Sequence, residues 1–131
     1  MKKILLVGFF LASATGLRLT YADLMPATRE VALPVHDAYI PGGFTSESDA
    51  YVVETGYFPN GCYSFSRATV TNKDPFTHEI KTYALVRTGL CPMIMAPYNH
   101  EVGLGKLARG THKVLFMSGE GTYIEKDLTI E

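Results

Sequence analysis

The chain has 131 residues, enough for one domain. Its 47% hydrophobic and 19% charged residues give an ordinary globular balance that excludes a disordered or fibrous protein. A formal net charge of -1 carries no basic bias toward nucleic acid.

Lys2 and Lys3 precede an apolar run, Ile4 to Leu11, relieved only by Gly8; small residues follow as far as Thr20-Tyr21-Ala22. Cationic start, apolar run and small-x-small site in that order predict a signal peptide over residues 1–22, with Ala12-Ser13-Ala14 as a competing cleavage site. The run is shorter than the about 20 apolar residues a bilayer span needs, and no Cys follows it to carry a lipid anchor. Cleavage after Ala22 removes Lys2, Lys3 and Arg18 from 12 basic residues and no acid, which leaves 9 basic against 13 acidic residues and a net charge of -4. The mature domain, residues 23–131, is therefore expected in the periplasm or the medium. It is expected to have no membrane insertion after cleavage and no nucleic-acid partner.

Asp23 to Arg29 reads as a loose N-terminal arm. Beyond it no segment repeats apolar residues at helical spacing over three turns. Apolar and β-branched runs recur instead, separated by Gly, Pro, Asn and Asp clusters. The predicted strands are Glu30 to Val35, Ala50 to Tyr57, Cys62 to Thr71, His78 to Arg87, His100 to Leu107, Thr111 to Ser118 and Tyr123 to Ile130. In the seventh, Ile124, Leu128 and Ile130 share a face that Lys126 interrupts, as expected near a sheet edge. In the sixth, His112, Val114 and Phe116 point one way, and Gly119-Glu120-Gly121 joins the two as a hairpin. About seven short strands predict an all-β, two-sheet sandwich. An exported domain with two cysteines, Cys62 and Cys91, and no metal motif pairs them in one disulfide.

The run from Val102 to Val114 resembles the "leucine, turn glycine, tyrosine, x, valine" corner of immunoglobulin-like and fibronectin type III-like sandwiches, with Leu107, Gly110 and His112 in the corner positions. His112 stands where those families carry Tyr, and an imidazole nitrogen offers a similar bond to the upstream backbone. Cys62-Tyr63 opening one strand and Cys91-Pro92 before a loop are similar to small exported bacterial sandwich domains with paired cysteines. The resemblance covers about Ala50 to Glu131. It implies an immunoglobulin-like fold and leaves function open.

Catalytic signals are absent. There is no Gly-x-Ser-x-Gly elbow, and Ser118-Gly119-Glu120-Gly121 is turn chemistry. A glycosidase pair would be an arbitrary choice among 13 acids. No Gly-rich phosphate loop precedes a helix, so no cofactor is expected. His36, His78, His100 and His112 lie apart in sequence, unlike the close spacing of a zinc site. Met93, Met95 and His100 are soft ligands of the kind exported copper carriers use, which makes copper handling the alternative function. The leading expectation is a non-enzymatic binding or structural module with a protein partner, a protease inhibitor being a special case. Its contact surface would be the 92–100 loop, through Met93, Ile94, Met95 and Tyr98. The competing reading of those side chains is a cap folded onto the core.

Overall fold

The computed structural model describes residue 16 and residues 27–131. The expected signal peptide lies outside them except for Gly16. Eight strands follow one another, and no helix occurs among the described residues: β1 (Thr28–Ala32), β2 (Asp37–Tyr39), β3 (Ala50–Phe58), β4 (Tyr63–Asp74), β5 (Thr77–Arg87), β6 (Ala96–Gly105), β7 (Gly110–Met117) and β8 (Tyr123–Ile130).

Two sheets result. In the larger, β5 pairs along its length with β4. Its other edge is shared end to end: β1 pairs antiparallel with the 83–87 half and β7 parallel with the 77–81 half. Thr82 sits between them, its carbonyl accepting from the Leu33 amide at 2.8 Å. β8 continues from β7 as the hairpin's outer strand. The smaller sheet has the order β2-β3-β6.

Alternation decides what faces inward. On β3, Ala50, Val52, Glu54 and Gly56 are buried while Tyr51, Val53, Thr55 and Tyr57 face out. On β5, His78, Ile80, Thr82, Ala84 and Val86 face in. Two apolar clusters follow. One gathers Val52, Ile80, Val102, Val114, Phe116 and Leu128; the other, at the opposite end, gathers Leu33, Ala84 and Tyr98 with Val31, Phe58 and Tyr63 against them. Glu54 and Thr82 lie between the clusters, so the core has a polar waist.

The sandwich and the Cys62–Cys91 disulfide, with Cα atoms 5.1 Å apart, agree with the sequence expectation. Several boundaries differ, among them the end of β1 at Ala32 rather than Val35 and of β4 at Asp74 rather than Thr71. β2 was not expected. β6 begins at Ala96 rather than His100, so the expected 92–100 loop ends at residue 95. Thr28 and Arg29, assigned to a loose arm, are already paired in β1. Lys126 does lie on an edge strand, where its ammonium reaches Asp37 of β2 at 3.1 Å.

Candidate functional site

The disulfide fixes one end of the sandwich. Cys62 is buried; its amide donates to Asn60 Oδ1 at 2.9 Å and its carbonyl accepts from Arg87 at 3.1 Å. Across the bond, Pro92 lies on the β3–β4 turn: its carbonyl accepts from the Gly61 amide at 2.8 Å. A Cβ at Gly61 would come within 2.9 Å of the Pro92 ring, so this turn position needs glycine. The segment between Arg87 and Ala96 is thus tied to the turn by one covalent and one hydrogen bond.

Its side chains nevertheless stand in solvent. Leu90 is 96% exposed, Met93 87%, Ile94 66% and Met95 65%. Met95 also closes an open, mostly apolar groove of about 340 Å³ lined by Leu33, Pro34, Tyr57, Pro59 and Tyr63. Tyr98 does not belong to this surface. It lies in β6 at 7% exposure, stacked on Phe58 with ring centroids 5.0 Å apart, and its hydroxyl donates to the Pro34 carbonyl at 3.1 Å. The ring fills the space over Gly56, where any Cβ would meet it at 2.6 Å. Burial, and then the charge of Glu54, push the phenol above its ordinary pKa, so it remains a protonated donor. The sequence grouping of Tyr98 with Met93, Ile94 and Met95 is corrected here: strand alternation from Ala96 turns residue 98 inward.

The residues offered as copper ligands are not brought together. His100 points into the sandwich from β6 and stacks on Phe65 of β4 with centroids 3.8 Å apart. Met93 and Met95 stay in the exposed loop, and five residues of extended chain separate Met95 from His100 by about 15 Å. Cys91 is consumed by the disulfide. Among the described residues no group of three or more His, Cys, Asp or Glu side chains is placed to hold a metal.

Two polar pairs inside the sandwich escaped the sequence reading. Thr82 Oγ1 lies 2.8 and 2.7 Å from the two carboxyl oxygens of the fully buried Glu54, the hydroxyl donating to the carboxylate. Burial raises the Glu54 pKa, against the lowering effect of that bond. At the other end His78 Nε2 and His112 Nδ1 are 2.8 Å apart, with both rings buried. His78 Nδ1 faces Asn72 Oδ1 at 2.7 Å, and His112 Nε2 donates to the Ala108 carbonyl at 2.6 Å. Leu107 is buried above this corner and Gly110 takes φ 130°, beside Phe76. These pairs hold the core and are closed to a substrate. Of the residues the sequence offered for contact, Met93, Ile94 and Met95 are the ones exposed, beside the groove.

No curated protein and no solved structure matches the chain. A family model described as the ORF11 beta-sandwich domain matches residues 52–130, which comprise β3 from its third residue onward through β8. That match covers more than half of the sequence, and the chain belongs to the ORF11 beta-sandwich domain family.

Proposed function

We propose that this β-sandwich is an exported, non-enzymatic binding module that contacts a protein partner through the loop of Leu90, Met93, Ile94 and Met95 and the adjoining groove. The carrying observation is the combination of exposure and restraint: four large apolar side chains in water on a segment pinned by the disulfide and by Pro92. Met is a residue type enriched at interfaces. A restrained loop loses less conformational entropy on binding than a free one. An exposed apolar patch of this kind marks a contact site. The immunoglobulin-like assignment is supported by the His112-to-Ala108 bond at the Leu107–Gly110 corner. Export is supported by the disulfide, which belongs to oxidising compartments.

The test places a photocrosslinking side chain at Ile94 in cells, with Thr71 on exposed β4 as the control position. A discrete protein adduct from position 94 and not from position 71, lost in a Met93→Ser, Met95→Ser variant of unchanged melting temperature, supports the reading. No adduct, or the same adducts from both positions, removes it. Mass spectrometry of the purified protein checks export in the same preparation: the expected N-terminus follows Ala14 or Ala22.

A further inference from the structure

The outer face of the smaller sheet is a second surface, which meets the loop's groove at His36 and Tyr57. β2, β3 and β6 contain no Lys or Arg. Their outward residues form cross-strand rows: Tyr57 beside Pro97, Thr55 between Asp37 and Asn99, Val53 between Tyr39 and Glu101, Tyr51 beside Gly103. Tyr39 and Tyr57 are among the most exposed aromatic rings of the described residues. The middle row opens into a depression of about 320 Å³ lined by His36, Asp37, Thr55, Tyr57, Pro97 and Asn99. That volume is at the lower end for small-molecule sites, which run from about 300 to 1,000 Å³.

The walls of the depression are ordered. Tyr57 meets His36 edge to face, with centroids 5.6 Å apart and planes at 83°, so its ring has a set orientation while half its surface stays in water. Thr55 Oγ1 donates to the Asp37 carbonyl at 3.2 Å and keeps its lone pairs free to accept. The Asp37 carboxylate accepts from the Ala38 amide at 2.8 Å and from Lys126 at 3.1 Å, which leaves capacity on its second oxygen. Asn99 is exposed, with donors and acceptor available on its amide.

We propose that this face binds a neutral oligosaccharide. A sugar ring presents polarised C–H groups on its faces and hydroxyls around its rim, and each hydroxyl both donates and accepts. Tyr57 and Tyr39 offer the electron-rich ring faces that C–H groups pack on. Asp37, Thr55 and Asn99, in one row beside Tyr57, offer the mixed acceptors and donors that a rim of hydroxyls requires. Charge removes the competing ligands. Glu101 repels nucleic acid, acidic lipid and polyanionic sugars, and Asp37 already holds Lys126, the cation that reaches this face, while the three strands supply none of their own. A flat apolar protein surface would bury the Glu101 carboxylate unpaired. Tyr39 lies level with Val53, four residues from Tyr57 along β3, so the two rings are separated by about 14 Å at ~3.4 Å per residue. That span suits a chain of several sugar units rather than a single ring.

The test is native affinity electrophoresis of the full chain through gels containing hydroxyethyl cellulose, laminarin, pullulan or glycol chitin, with dextran sulfate as the anionic control. The expected result is retardation by at least one neutral polymer. Tyr57→Ala and Asn99→Ala should each weaken it by roughly fivefold or more while the melting temperature stays within about 2 °C of the parent, as for exposed sites. Equal mobility in all four neutral gels, retardation unchanged in both variants, or retardation by dextran sulfate alone overturns the proposal.

Discussion

Replacing Asn72 with Asp probes the buried histidine pair by a single exposed atom. His112 Nε2 donates to the Ala108 carbonyl; when His78 Nδ1 donates to Asn72 Oδ1, a proton bridging the 2.8 Å between the rings makes the pair a monocation. Rotating the exposed Asn72 amide by half a turn presents its NH2 to His78 Nδ1 and serves the neutral pair instead. Burial first, then the His112 charge, lower the His78 pKa below 6.5, with Asp74 opposing. A depressed folded pKa means that the contribution of His78 is fully present above pH 6.5 and is lost as pH falls through the folded value. The slope of that loss is at most about 1.4 kcal/mol per pH unit for one proton. Asp at position 72 has no N–H to give. It penalises the neutral pair at pH 7.5 and favours the cation at pH 5. The exposed carboxylate limits the gain to about 1 kcal/mol. Urea unfolding of both proteins at pH 5.0 and 7.5 measures the difference of differences, in which Glu54 cancels because both carry it. Asn72→Asp should narrow the acid loss by about 1 kcal/mol. An equal change in stability at both pH values would show that the pair does not titrate through this geometry.

Three other measurements bear on the fold and the loop. Reducing Cys62–Cys91, separated by 29 residues, should cost about 3.5 kcal/mol on the chain-entropy account and lower the melting temperature by roughly 10–20 °C; a shift of only about 2 °C would show the loop already closed in the unfolded chain. Glu54→Gln should stabilise by about 1 kcal/mol at pH 7.5 and by nothing at pH 4, because a carboxyl with a raised pKa contributes stability that is present below pH 4.5 and lost as pH rises through its folded value; equal effects at the two pH values would contradict this. Tyr98→Ser should destabilise by about 3 kcal/mol and Ile94→Ser by less than about 0.5, as chemical denaturation reads them, and near-equal losses would place the loop in the core.

What was legible in the sequence was what strand period and turn chemistry determine locally. The β7–β8 hairpin, with His112, Val114 and Phe116 inward, follows from alternation around a Gly-bearing turn. The start of β6 at Ala96 is hidden in the sequence because Pro92 and Pro97 argue for a loop there. Pro97 is tolerated as the second residue of an edge strand, where it needs no partner beyond β3, and the alternation it begins buries Tyr98. β2 was missed because three residues paired to Asp37↔Thr55 through Tyr39↔Val53 are too few to display a period. The parallel pairing of β5 with β7 was beyond reach for a different reason: it joins segments more than thirty residues apart, and no local pattern specifies its register.

The two polar pairs of the core depend on that same long-range register. His78 lies opposite Val114, two residues from His112 on the inward side of β7, so the imidazoles meet only once β5 and β7 are aligned in parallel. Glu54 reaches Thr82 only once the two sheets are stacked. Each residue, read alone, is a polar group at a core position with no evident partner, and a buried carboxyl or imidazole without one is costly. Slipping β5 against β7 by two residues would keep the same side chains inward but part His78 from His112; misplacing the sheets would leave Glu54 unbonded. An all-apolar set at residues 54, 78, 82 and 112 would lose less on such face-preserving shifts. The hydrogen-bonded pairs act against alternative registers, and this accounts for polar side chains occupying inward positions among Val52, Ile80, Val114 and Phe116.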